Sequence, residues 1–287
     1  MKININSYSY GNAAADANCA KGPVVLKKAL EKAGFSNLNW QLDLKASRDT
    51  HQKAALNDVA SLCEQLAKST QQSILNKHFF ITLGGDHSCA IGTWSGAMSA
   101  ISHQGDLGLI WIDAHMDAHT VKTSLTQNIH GMPLSALLGD GEEKLTHILS
   151  DYPKIKPENL VLIGIRSFEI EEEMLLKKLG VKIFYMSDIF RMGLEKVITE
   201  AINIVTKNTV NFGVSLDIDA LDPIDAPGTG TTEKNGIRAQ DFLNCFHLIS
   251  DNPKLIGLEI AEFNPIKDKN NMTADIIVEL VKNIGEL

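Results

Sequence analysis

Six short apolar runs punctuate the chain: "KHFFITL" (77–83), "LGLIWI" (107–112), "LVLIGI" (160–165), "VKIFY" (181–185), "FGVSLDI" (212–218) and "LIGLEI" (255–260). They are continuous, without apolar–polar alternation, which predicts strands covered on both faces in a largely parallel sheet. Stretches with helical spacing lie between them, at 22–33, 54–75, 170–179, 193–207, 239–250 and 273–284. Gly34 and Gly180 follow two of these stretches, where a left-handed residue closing a helix would fall. Alternating strands and helices predict an α/β fold, a three-layer α/β/α sandwich with a mainly parallel central sheet. No linker, charge block or low-complexity tract divides the 287 residues, so one domain over 1–287 is expected.

Polar clusters follow four of the runs. "FFITL" leads into "GGDHS", "LGLIWI" into "DAHMD", "FGVSL" into "DIDALDP" and "LIGLEI" into "AEFNP". In an open α/β sheet, ligands bind in the crevice outside the carboxyl ends of the strands. Four segments would therefore bring acids and imidazoles to one rim. Within "WIDAHMDAH" (111–119), Asp113, His115 and Asp117 sit two apart, which on an extended chain aims them at one face.

Taken with His87, Asp217 and Asp219, this rim gathers four carboxylates and two imidazoles. Burying even one bare carboxylate costs several kcal/mol. Either the acids are neutralised by protons or cations sit among them. One divalent ion leaves two negative charges over, whereas two balance four aspartates. Oxygen donors with two imidazoles suit Mn²⁺, with Fe²⁺, Co²⁺ or Ni²⁺ as further options, and no thiolate draws the set toward structural zinc. A paired site can lower the pKa of a water held between its ions, which points to metal-assisted hydrolysis. Asp219 by itself would equally be a turn residue in "DALDP" (219–223).

Composition narrows the partners. The formal net charge of −8 speaks against nucleic acid and tolerates a small cationic substrate. No apolar run approaches the ~18 residues of a membrane span. "MKININSYSYGNAAADANCAKGP" has no apolar core of a secretory signal. Cys19, Cys63, Cys89 and Cys245 are scattered without paired spacing, which suits a reducing cytoplasm.

"GGDHS" (84–88), "DAHMD" (113–117), "NIHGMP" (128–133), "SLDIDALDP" (215–223) and "EFNP" (262–265) stand in the order seen in the arginase/agmatinase family of ureohydrolases. The resemblance runs from "KGPVVLKKAL" (21–30) to the final helix and is most like an arginase. It implies an α/β/α fold with a binuclear manganese centre. His87, Asp113, Asp117 and Asp217 would hold one ion, and Asp113, His115, Asp217 and Asp219 the other. A metal-bridging hydroxide, oriented by Asp117, would attack the guanidinium carbon. His130 matches the family's proton-shuttle histidine, and Glu262 the acid that pairs with the substrate guanidinium. Relatives form homo-oligomers, trimers or hexamers.

The same resemblance implies L-arginine as substrate, cleaved to L-ornithine and urea. Ser124, Thr126 and Asn128 could hydrogen-bond its carboxylate, and Glu169 and Glu172 match two acids serving its amino end. His119 departs from the asparagine common there, and "LTQN" (125–128) from the usual serine-glycine-asparagine. "PGTGTTE" (227–233) is as similar to agmatinases and guanidino-acid hydrolases, so agmatinase, guanidinobutyrase, guanidinopropionase and formimidoylglutamase are the alternatives. The glutamates of "EIEEEM" also read as an acidic helix start. Arg166 either supports the rim or forms a structural ion pair. A non-catalytic binding protein of this fold would not need His130 and Glu262. A metallo-phosphoesterase would need cationic residues that the rim motifs lack.

Overall fold

The computed structural model describes residues 2–35, 38–45 and 50–285, and the remaining positions of the expected 1–287 domain lie outside the described residues. Eight strands form one sheet: β1 (Ile3–Ser9), β2 (Leu38–Lys45), β3 (Phe79–Gly84), β4 (Asp106–Ile112), β5 (Leu160–Ile165), β6 (Lys182–Tyr185), β7 (Thr209–Asp217) and β8 (Leu255–Ala261). Their order across the sheet is β2-β1-β3-β8-β7-β4-β5-β6, with every neighbouring pair parallel. The apolar runs became strands for the reason their pattern suggested. In β4, Ile110 and Ile112 enter the core on one face while Leu109 and Trp111 enter it on the other.

Two strands escaped that pattern. In β1, Asn4, Asn6 and Ser7 interrupt the apolar positions yet are buried. Asn4 donates to Ser73 Oγ at 2.9 Å, and Ser69 Oγ donates to Asn6 Oδ1 at 2.7 Å, while Asn6 Nδ2 is buried without a partner. β2 is an edge strand covered on one face, where Leu38, Trp40, Leu42 and Leu44 alternate with exposed residues.

The helices are α1 (Gly22–Lys32), α2 (Leu56–Leu75), α3 (Cys89–Ile101), α4 (Pro133–Leu137), α5 (Glu143–Thr146), α6 (Ile170–Leu179), α7 (Met186–Met192), α8 (Leu194–Lys207), α9 (Ala239–Cys245), α10 (His247–Ser250) and α11 (Met272–Gly285). The stretch 239–250, expected as one helix, breaks into α9 and α10, with Phe246 and Ile249 both fully buried at and after the break. Gly34 and Gly180 close α1 and α6 with φ of +84° and +78°. The unforeseen α3 is apolar all round and almost wholly buried, so it carries no amphipathic period. It lies against α2 so closely that a Cβ on Gly96 would sit 2.3 Å from Ala67 O.

α1, α8 and α11 cover one face of the sheet and α2, α3 and α4 the other. Among the described residues, no helix is long and apolar enough to cross a membrane.

Candidate metal centre

The four adjacent strands β3, β8, β7 and β4 end at one rim. His87 lies just beyond β3, Asp113 directly after β4, Asp217 at the last position of β7 and Glu262 directly after β8. Asp219 follows in a 3₁₀ turn opened by Asp217. The sequence placed Asp113, His115 and Asp117 on one face of an extended chain, but β4 stops at Ile112 and the chain turns. Asp117 has φ +46° and Glu262 φ +63°, a region that costs a non-glycine residue about 1–3 kcal/mol. The side chains converge through these turns.

Two groups result. His87 Nδ1 lies 3.0 Å from Asp117, 3.2 Å from Asp217 and 3.3 Å from Asp113. His115 Nδ1 lies 3.0 Å from Asp219 and 3.6 Å from Asp113. Asp113 belongs to both groups. Asp217, assigned to both by resemblance, joins only the first here, and its Oδ1 accepts the Asp219 N–H at 2.8 Å.

The donors fit a pair of divalent cations. His87 Nδ1 is buried without a hydrogen-bond partner, although three carboxylates surround it. Its other nitrogen is fixed from behind: Nε2 meets Ser215 Oγ at 2.9 Å, and Ser215 Oγ donates to buried Glu259 at 2.7 Å. Such a carboxylate-backed imidazole is the usual support of a metal-ligating histidine. Burial, with Asp219 and Asp113 alongside, raises the Asp217 carboxyl well above its ordinary range. Burial and Asp113 likewise raise Asp117. Burial lifts Asp219 to about 6 despite His115 beside it. Burial presses His87 toward its neutral form, but Glu259 and the three aspartates outweigh this and raise its pKa. Left to protons alone, the site would balance its charge with protons on the imidazoles and on the carboxyls whose pKa values are raised. Two dications would neutralise all four carboxylates.

Beside this cluster, Glu262 is buried and held by three donors. Oε1 accepts the His87 N–H at 2.9 Å and lies 2.9 Å from His130 Nδ1, while Oε2 accepts from Cys19 Sγ at 3.2 Å. Burial presses the His130 imidazole toward neutral, but Glu262 outweighs it and raises the pKa to about 9. Burial would also raise Glu262, but His130, Cys19 and the His87 N–H lower it, so this carboxylate stays ionised. Cys19 is thus a functional contact the sequence did not disclose; 243 positions separate it from Glu262.

A cavity of about 260 Å³ opens onto both groups, lined by His115, Asp117, Asp217, Asp219, His130 and Glu262. The same cavity is lined by Ser124, Leu125, Thr126, Asn128, His119, Glu169 and Glu172, together with Thr231, which had not been singled out. Every residue expected to bind substrate therefore faces one space. Their freedom differs. Ser124 Oγ and Thr126 Oγ1 accept N–H groups of their own loop, from Gln127 and Asn128, whereas Asn128 Oδ1 is buried and unpartnered. His119, expected to donate to a carboxylate, has both nitrogens engaged, Nδ1 by Thr123 at 3.0 Å and Nε2 by Glu169 at 3.1 Å. Glu169 and Glu172 also form the capping box of α6, so the acidic helix start and the pocket lining are the same residues.

Comparison with known proteins agrees with this geometry. A family model described as "Arginase family" matches residues 8–285. The chain is 40% identical over 273 residues to an arginase of Brevibacillus brevis, covering 92% of this chain and 90% of that one. It superposes on the crystal structure of arginase from Bacillus subtilis with a TM-score of 0.90 at 36% identity, covering 99% and 98% of the two chains. With Entamoeba histolytica arginase, solved in complex with L-ornithine, the TM-score is 0.91 at 27% identity, covering 100% and 98%.

Proposed function

Because the chain belongs to the arginase family of hydrolases, we propose that it cleaves L-arginine to L-ornithine and urea, using two Mn²⁺ ions. One observation carries this reading: a single cavity is lined both by the acid–imidazole cluster with Glu262 and by His119, Glu169, Glu172 and Asn128. A substrate with a guanidinium at one end and an amino-acid group at the other suits both. The arginases that this chain resembles support the same choice.

His87, Asp113, Asp117 and Asp217 would hold one ion, and Asp113, His115 and Asp219 the other. When bound, a pair of divalent cations supplies Lewis acidity and nucleophilic water at neutral pH. The protein's own residues do the rest. Glu262, kept ionised by its donors, receives the planar guanidinium through charge-assisted hydrogen bonds. His130 carries a proton on Nδ1 toward Glu262, leaving Nε2 for exchange with the departing amine. Glu169 and Glu172 attract the substrate ammonium, and the unpartnered Asn128 Oδ1 marks a polar group awaiting a ligand. An ammonium subsite disfavours guanidinobutyrate and guanidinopropionate, which lack the amine. Agmatine keeps the amine but has no carboxylate to engage the loop at 124–128.

A homo-oligomer, trimer or hexamer, a single domain and a cytoplasmic location belong to the same reading. Sedimentation, limited proteolysis and cell fractionation test them. The decisive assay measures urea from L-arginine, agmatine, 4-guanidinobutyrate and 3-guanidinopropionate, and formamide from formimidoylglutamate. Each is run with Mn²⁺, Ni²⁺, Co²⁺ and no metal. Greatest kcat/KM on L-arginine with Mn²⁺ is the expected outcome. Turnover confined to another compound would overturn the choice of substrate.

A further inference from the structure

Arg166 follows β5 and contacts no substrate-facing carboxylate through a hydrogen bond among the described residues. Its guanidinium is instead spent on five backbone carbonyls. Nε donates to Lys234 O at 3.1 Å, one terminal nitrogen to Gly164 O at 3.2 Å and Ala220 O at 3.3 Å, and the other to Asp219 O at 2.6 Å and Glu233 O at 2.9 Å. An arginine has five N–H donors in a rigid planar fork, and these contacts use them all. Of the two sequence-based expectations, rim support describes this arrangement, with backbone carbonyls as the partners in place of a carboxylate.

The backbone of Arg166 completes a circuit. Its N–H donates to Ala114 O at 2.9 Å, and the Ser167 N–H donates to the same oxygen at 3.0 Å. Ala114 N–H in turn donates to Asp219 Oδ1 at 3.1 Å. Ala114 lies between Asp113 and His115, so one residue grips both segments that form the second acid–imidazole group. The first group is supported elsewhere, through Ser215 and Glu259 behind His87. Packing around the guanidinium is close: a Cβ on Gly236 would lie 2.7 Å from it and equally close to the backbone of Leu221 and Asp222 in the segment that follows Asp219.

We propose that Arg166 is a positioning residue for one half of the metal centre, holding the Asp219 segment against the Asp113–His115 segment so that the second cation site is preformed. This rests on the binuclear reading above. Lysine cannot replace it, since a compact ammonium offers three donors without the planar fork.

The test titrates metal-stripped protein with Mn²⁺ by calorimetry and records electron paramagnetic resonance spectra at each stage. Wild type is compared with Arg166→Met, Arg166→Lys and Gly236→Ala. Wild type is expected to take up two ions and to show the spectrum of an exchange-coupled pair. The Arg166 variants are expected to bind the first ion as wild type does and the second at least tenfold more weakly. At low Mn²⁺ excess they should show the six-line signal of an isolated ion. Gly236→Ala should shift the second constant the same way. Should Arg166→Met fail to fold, the other two variants carry the comparison. Two ions bound with both constants unchanged would overturn the proposal, as would an equal fall in both constants. Wild-type protein that binds fewer than two ions would remove the binuclear reading itself, and this inference with it.

Discussion

Glu262 shows how much a single side chain depends on remote neighbours. Its position after β8 was legible from "EFNP", as the six metal-ligand candidates were legible from motifs at strand ends. What holds it was not. Cys19 lies far away in sequence and in no acid–imidazole cluster, so no local pattern announces it. Burial and Glu262 itself push the Cys19 thiol far up, so it remains a hydrogen-bond donor at neutral pH. Removing one such donor costs about 1 kcal/mol. Cys19→Ala is therefore expected to raise KM for L-arginine by up to about tenfold with little change in kcat, and Cys19→Ser to restore it, as steady-state kinetics would show. Glu262→Gln removes a buried charge and should lower kcat/KM by more than about thirtyfold. His119 shows how neighbours engage a side chain that faces the cavity. Its side chain was foreseen as a ligand for substrate, yet pairing with Thr123 and Glu169 leaves neither ring nitrogen free.

At the scale of elements, continuous apolar runs were easy to read because both faces of the sheet are covered. β1 was hidden by buried amides that bond to serines of α2, and α3 by being apolar on every side. Packing between elements also positions the site. A Cβ on Gly213 of β7 would lie 2.0 Å from the Trp94 ring of α3, whose Nε1 donates to Glu259 at 3.0 Å. Gly213→Ala would push the indole off that carboxylate and is expected to cost about 1–3 kcal/mol, read as a fall in the urea midpoint. The start of α9 is tied to the loop after β7 by Asp225, which accepts from Arg238 and from the Ala239 N–H. The Arg238 contact lowers the Asp225 pKa. The folded state then holds this carboxylate ionised at a pH where the unfolded chain takes up a proton. Its stabilisation is complete above the ordinary aspartate pKa and is lost as pH falls through the lowered folded value. The stability difference between wild type and Asp225→Asn should be present at pH 7 and 5 and shrink by pH 3, followed by urea unfolding at each pH.

For the whole molecule, cations held among the acids at the rim would make folding and cation binding one equilibrium. Binding only to the native state stabilises it by roughly 2.7 kcal/mol for one ion at a hundred times its Kd. For a chain of this size that corresponds to a rise in Tm of roughly 4–5 °C for each ion. Mn²⁺ should raise the melting temperature of the stripped protein by this amount, and a chelator should reverse it. A Tm indifferent to both would contradict the metal reading.

The place of β8 between β3 and β7 has a consequence for how the protein is made. Until residues 255–261 leave the ribosome, the nascent chain holds two separate ribbons, β2-β1-β3 and β7-β4-β5-β6, each with an unpaired inner edge. Exposed edges of this kind recruit other strands. A chain stopped before Leu255 should therefore sediment as aggregate, and β8 is the keystone that welds the two ribbons together.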